Sequence, residues 1–243
     1  MGKVITLIYG LVCYVIFFLT FLYAIGFIGD IVVPKTIDSG SSASGGAALW
    51  VNILLLALFA VQHSVMARPG FKKVWTKIVS PSAERSTYVL FTCVVLILLF
   101  WLWQPMPGVI WSVENPAGRI ILWGLFWIGF LIVLLATFMI SHFELFGLTQ
   151  VARGLSGASE PPPRFKAPGF YKIVRHPIMT GFIIAFWATP TMTSGRLLFA
   201  MMTTAYILVA LQLEERDLIS FLGEEYTNYR KKVRMLIPIP KKQ

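Results

Sequence analysis

The sequence predicts an all-α fold: a polytopic integral membrane bundle of four long spans, followed by a C-terminal helical hairpin and a cytoplasmic amphipathic tail. Hydrophobic residues make up 57% of the 243 and charged residues only 13%, and the mean hydropathy is +0.74, too apolar for an ordinary soluble domain. Apolar runs at about 4–29, 47–66, 86–103 and 117–141 each reach the roughly 20 residues that cross a bilayer core as helix. Lysine and arginine are also distributed unevenly. Loop 67–85 carries Arg68, Lys72, Lys73, Lys77 and Arg85 and loop 142–175 carries five more, whereas 30–46 and 104–116 hold only Lys35 between them. By the positive-inside rule both termini and the two basic loops face the cytoplasm.

Taken in order, the first run is too long for a removable signal peptide and lacks a small-residue cleavage site. Ser39–Gly46 is rich in glycine and serine and reads as a flexible external loop before the second span. After the fourth span, Gly154–Pro168 contains Pro161, Pro162 and Pro163, so it reads as a cytoplasmic loop able to serve as a lid. Runs 177–190 and 197–213 are shorter, and Pro190, Thr191, Thr193, Ser194 and Gly195 mark a turn between them. They read as a hairpin that need not cross fully. Residues 214–235 read as one amphipathic helix presenting Leu218, Phe221, Leu222, Tyr226 and Tyr229 on its apolar side. The chain is expected to be a single membrane domain, 1–243, with a scaffold in 1–141 and the chemistry in 142–243.

A formal charge of +10 is accounted for by topology and lipid headgroups, so no nucleic-acid partner is expected. No obligate protein partner is evident either. Cys13 and Cys93 lie inside apolar runs and read as small core residues. His63, His142 and His176 have no Cys or acidic spacing that would make a metal site, and no dinucleotide, Walker or nucleophile-elbow motif is present.

The chemistry-bearing residues gather near the predicted cytoplasmic rim. Arg175-His176-Pro177 sets a cation and an imidazole before a helix whose N-terminus offers N–H groups to an anion. The dull alternative is that Arg175 snorkels and His176 caps. Glu214 and Glu215 end an apolar run, where acids pair with a cation or face a wet cavity. His142 titrates near neutrality and Glu144 stands two residues on, able to orient it or act as base; the alternative is a helix-end histidine favoured by the dipole. His63 with Ser64 and Arg68 either lines a polar cavity or is structural.

In sequence, Arg175-His176-Pro177-x-x-x-Gly181, Glu214-Glu215, Gly223-x-x-Tyr226-x-x-Tyr229 and Leu236-Ile237-Pro238 resemble the signature of the isoprenylcysteine carboxyl methyltransferase superfamily. His63-Ser-Val-Met-Ala-Arg68-Pro69, Glu84-Arg-Ser-Thr-Tyr88, His142-Phe-Glu-Leu-Phe-Gly147-Leu and Phe186-Trp-Ala-Thr-Pro190-Thr-Met resemble one bacterial branch, the methanethiol S-methyltransferases with an NnrU-like domain. The resemblance implies S-adenosylmethionine as cofactor, methanethiol as a small thiol substrate and dimethyl sulfide as product, at the cytoplasmic membrane face. It implies cofactor contacts at Tyr171, His176, Pro177, Met179, Gly181, Glu214, Glu215, Tyr226, Tyr229 and Pro238. Met179 stands where the superfamily usually has tyrosine, which removes a hydroxyl. Thiolate is the nucleophile, so a base or nearby cation is required; the sulfonium supplies that charge in part, His142 and Glu215 are the candidate bases, and Arg175, counted with them as catalytic, is expected to meet the cofactor's carboxylate. Phe143, Phe146, Phe186 and Trp187 are expected to crowd the site against bulky substrates. Open alternatives are methylation of another small thiol, a prenylcysteine carboxylate or a lipid, and a non-enzymatic membrane role linked to nitrogen-oxide metabolism.

Overall fold

The computed structural model describes residues 2–40, 45–158 and 165–239. The chain is a polytopic helical membrane protein in which five helices are long and apolar enough to cross a bilayer: α1 (Lys3–Gly29), α2 (Gly45–Ala67), α4 (Pro81–Leu102), α5 (Pro116–Ile140) and α9 (Ser194–Leu222). Between them lie the short α3 (Pro69–Trp75), α6 (His142–Leu145), α7 (Leu148–Ser156) and α8 (Pro177–Trp187), and α10 (Glu224–Lys232) ends the helical series. Side chains such as Ile5, Leu19 and Ile120 stand exposed along these helices, as expected of surfaces solvated by lipid rather than water.

The chain folds as two compact units, Met1–Pro107 with His142–Pro161, and Gly108–Ser141 with Pro162–Gln243. The fourth long helix, grouped by sequence with the scaffold, clusters with the hairpin and tail, while 142–161 returns to the first unit.

In the first unit α1 packs on α4 and α7, and α2 packs on α4. Its short helices are placed by glycines. A Cβ at Gly10 would lie 2.6 Å from a methyl of Val151, so α7 sits directly on α1. Gly147 adopts φ +90°, and its Cα comes so close to Ser86 that a Cβ would meet the Ser86 nitrogen at 2.7 Å. Gly154–Ser156, expected to be loop, form the last turn of α7, which Gly157 closes in the left-handed conformation. The proline run lies outside the described residues, as do 41–44 of the glycine/serine-rich external loop, whose last two residues, Gly45 and Gly46, open α2.

In the second unit α5 and α8 make the closest contact, at a pair of glycines facing each other. Pro116 and Pro177 occupy first-turn positions, where the missing N–H costs nothing. Asn115 caps α5 by accepting from the Gly118 N–H, and Thr193 caps α9 by accepting from Arg196. The residues read as the hairpin turn are partly extended: β2 (Thr191–Thr193) pairs antiparallel with β1 (Val109–Ser112). This small ladder is absent from the sequence expectation. The second arm of the hairpin is also longer than its apolar run, because α9 continues through Glu214-Glu215-Arg216-Asp217 to Leu222. Charges end a hydrophobic stretch without ending a helix; the break comes at Gly223, with φ 59° and ψ −128°. The expected single tail helix is therefore split, its first turns belonging to α9 and its middle to α10, while 233–235 leave the helix to run beside Val174.

Candidate functional site

Upstream of α8 the chain passes through a 3-10 turn at Gly169–Lys172 and then runs extended beside the C-terminal tail. Val174 forms a parallel bridge with Arg234. The Arg175 N–H donates to the Arg234 carbonyl at 2.8 Å, and the His176 N–H donates to the Met235 carbonyl at 3.1 Å. One turn later the Thr180 hydroxyl donates to the Leu236 carbonyl at 2.9 Å. The Arg-His-Pro and Leu-Ile-Pro motifs, some 60 residues apart in sequence, are thus parts of one backbone contact.

Side chains close this contact around Glu215, which is 3% exposed. Arg175 approaches one carboxylate oxygen with Nη2 at 2.6 Å and donates to it from Nε at 2.7 Å. His176 Nε2 donates to the same oxygen at 3.1 Å, since a carboxylate only accepts. Arg230 Nε meets the other oxygen at 3.0 Å. Arg175 Nη1 is used too, reaching the carbonyls of Val233 at 2.5 Å and Arg230 at 3.3 Å, at the end of α10. Two consequences follow. Glu215 is surrounded by donors on both oxygens and is poorly placed to take a proton from a substrate. Arg175 ties the tail to α9, so its fork is occupied by protein groups. Glu214 differs: its side chain is 48% exposed and lies 3.9 Å from His176 Nδ1.

An aromatic group adjoins this ionic cluster. Tyr226 and Tyr229, three residues apart and hence on one face of α10, have ring centroids 5.8 Å apart, and Phe165 lies 4.9 Å from Tyr229 and 6.3 Å from Tyr226. The Tyr229 hydroxyl donates to the Tyr171 carbonyl at 2.5 Å. Burial pushes the Tyr229 phenol up to about 12, with Arg175 opposing and Glu215 adding to the effect. Tyr171 is buried, donates to the Ala136 carbonyl at 3.4 Å and is raised by burial and by Glu214. Tyr226 is 3% exposed, yet its hydroxyl has no hydrogen-bond partner among the described residues.

The other implied cofactor residues are distributed less uniformly. Pro177 is buried at the start of α8, Met179 is half-buried one turn in, and Pro238 is exposed. Gly181 faces α5: a Cβ there would lie 2.6 Å from the Gly129 carbonyl oxygen and 3.0 Å from the Val133 nitrogen. Close helix packing therefore accounts for the absence of a side chain at this position.

His142 belongs to the first unit. Its Nε2 shares a 2.8 Å hydrogen bond with the Tyr14 hydroxyl, and Phe143 and Phe146 pack edge-on to its ring. Glu144 turns to Arg153 at 3.5 Å. His63 pairs with the Tyr88 hydroxyl at 2.9 Å, and the Arg85 guanidinium covers the Tyr88 ring at 4.9 Å. Phe146 stacks on Phe17 at 3.7 Å, and Phe186 packs on Phe199 in the second unit, so these rings serve as packing groups.

Burial lowers the His142 pKa from its usual 6.5. As pH falls below about 6.5 the unfolded histidine takes up a proton that the folded one resists, so stability is lost toward acid. Melting of the protein in detergent should therefore fall between pH 7 and pH 5, and His142→Gln should flatten that slope. An unchanged slope would place the proton uptake elsewhere.

Sequence reasoning missed Arg230, Phe165, Tyr14 and Tyr88 as partners. Arg230 precedes Lys231 and Lys232 and was hidden in what reads as a headgroup-binding run. The available signal was that Glu215, an acid destined for burial, needs more than one donor.

The sequence profile of the family described as "NnrU protein" matches residues 51–209. The chain is 57% identical over 240 residues to a protein of Mycobacterium tuberculosis named methanethiol S-methyltransferase, covering 99% of this chain and 98% of that one. It is 56% identical to methanethiol S-methyltransferase 1 of Bradyrhizobium diazoefficiens, covering 97% and 83%. Nurim of Rattus norvegicus is 30% identical over 181 residues, covering 71% of this chain and 68% of nurim. No solved structure matches the chain.

Proposed function

Given that the chain belongs to the NnrU family, we propose that it is a membrane S-methyltransferase converting methanethiol to dimethyl sulfide with S-adenosylmethionine as methyl donor. The observation that carries this reading is the incomplete site of the second unit. A buried Tyr226 hydroxyl without a partner, two further rings and a half-exposed Glu214 carboxylate stand together around a saturated ionic cluster. Such a site lacks the polar groups of its reactants, and two of its features suit S-adenosylmethionine. The carboxylate of Glu214 suits the ammonium or ribose hydroxyls, and aromatic faces suit a sulfonium through cation–π attraction. Tyr171, His176, Pro177, Met179, Tyr226, Tyr229 and Pro238 frame the same end of the unit, and Gly181 lets α8 approach α5.

When bound, S-adenosylmethionine supplies an electrophilic methyl on a positively charged sulfur. The protein's part is to align the acceptor sulfur with that methyl, since alignment contributes much of the rate of such displacements, and to keep the acceptor ionised. Glu215 and Arg175 act by holding α10 and the tail in register with α8. The basic loops and tail support a cytoplasmic location for the site, with both termini on that side of a bacterial inner membrane.

Purified protein in lipid nanodiscs, given methyl-labelled S-adenosylmethionine and methanethiol, should release labelled dimethyl sulfide into the headspace. Ethanethiol should react more slowly and a farnesylated cysteine not at all. Efficient turnover of the farnesylated cysteine would reassign the substrate to a prenylated carboxylate. Absence of turnover with every thiol, together with no calorimetric binding of S-adenosylmethionine, would sink the methyltransferase reading.

A further inference from the structure

Among the described residues of the second unit, Tyr226 carries the only buried side-chain polar atom without a hydrogen-bond partner. Leaving a buried hydroxyl unpaired destabilises the fold, so its retention calls for a ligand. Its surroundings narrow the choice. The ring of Tyr226 contacts Tyr229 and Phe165, and the residue is 3% exposed. A cofactor rich in hydroxyl, amino and carboxylate groups needs several polar contacts, whereas one hydroxyl in an aromatic wall matches a ligand with one polar atom. A small thiol is such a ligand, and its sulfur also gains from contact with ring edges.

We propose that the Tyr226 hydroxyl is a catalytic hydrogen-bond donor to the acceptor sulfur, orienting the thiol and stabilising its thiolate. This rests on the methyl-transfer reading above. The groups acting on the hydroxyl are Glu215, Glu214, Arg175 and Tyr229; burial and the two carboxylates raise its pKa against the opposing Arg175. It therefore keeps its proton and donates rather than acting as a base. The thiol S–H bond breaks with its proton passing to water. The sulfur lone pair then forms the new S–C bond to the sulfonium methyl, and the pair of the broken C–S bond stays on the departing sulfur, which becomes a neutral thioether.

Tyr226→Phe in the full-length protein tests this, because it deletes the hydroxyl and keeps the ring. Turnover of methanethiol at saturating cofactor should fall roughly 10- to 100-fold, the loss of one hydrogen bond to a charged group. Calorimetric affinity for S-adenosylmethionine and S-adenosylhomocysteine should stay within about two-fold of wild type, as expected of a group that acts on the other reactant. The apparent pKa of the acceptor in the pH–rate profile should rise, and the melting temperature should hold or increase, since an unpaired group has been removed. Weakened binding of both cofactor forms with saturated turnover intact would assign the hydroxyl to the cofactor and overturn the proposal. A lowered melting temperature would overturn it by showing a structural partner, and unchanged turnover would overturn it outright. Wild-type protein that binds no S-adenosylmethionine would instead bring down the methyl-transfer reading, and this inference with it.

Discussion

Glu215→Gln should destabilise the second unit by about 3–5 kcal/mol, the cost of removing one partner from a buried ion cluster. The side chain is nearly inaccessible, and its two oxygens receive Arg175, His176 and Arg230. A neutral amide keeps the shape but leaves Arg175 buried without a counter-charge, and its NH₂ confronts donors. Arg175 would then lose its hold on the Val233 and Arg230 carbonyls, freeing the tail. Arg230→Ala should cost about 1 kcal/mol or less, because that side chain is 46% exposed and its pair is partly solvated. Melting of the two variants in detergent, with proteolysis of the tail as a second readout, checks the order. A Glu215→Gln protein that melts like wild type but loses the acid limb of its pH–rate profile would make Glu215 a base after all.

Gly181→Ala should be the second large effect, at about 1–3 kcal/mol from overpacking. The new methyl would meet backbone atoms on α5, the Gly129 carbonyl oxygen and the Val133 nitrogen, so no side-chain rotation relieves it. Gly129→Ala meets the reciprocal contact, with the Gly181 oxygen at 2.6 Å and the Ala185 nitrogen at 2.7 Å. Both substitutions widen the same gap, so the double variant should cost clearly less than the sum of the singles. Apolar helices in lipid gain little from the hydrophobic effect on association and depend on such close approach. If Gly181→Ala melts normally and instead abolishes cofactor binding, the glycine serves a ligand and not the helix pair.

The substitution of greatest chemical consequence is not the most destabilising. Tyr226→Phe is expected to leave the fold intact because its hydroxyl has no hydrogen-bond partner among the described residues. Glu215 and Arg175 show the reverse pattern. They look catalytic in sequence, being charged residues at a membrane edge, but each is already occupied by protein partners.

How much was legible follows from which forces are local. Composition and the length of apolar runs determined the helical membrane fold and the first four spans to within a few residues, except that α4 begins at Pro81 rather than 86. Its first five residues include Glu84 and Arg85, which lie beyond the apolar run but inside the helix. The same distinction between an apolar run and a helix moved the end of α9 from 213 to Leu222. Resemblance to a known signature also grouped the Arg-His-Pro turn, the Glu pair and the Leu-Ile-Pro tail, and Arg175, Glu215 and Arg234 do meet in the fold. Only the tertiary structure decided which partners each residue meets. Hydrogen-bond saturation depends on partners distant in the chain, and neither the grip of Arg230 on Glu215 nor the unpaired Tyr226 hydroxyl has a local signature. The pairing of β1 with β2 and the approach of Gly129 to Gly181 were hidden for the same reason: each is a contact between segments dozens of residues apart, while hydropathy and helix periodicity report only on neighbours along the chain.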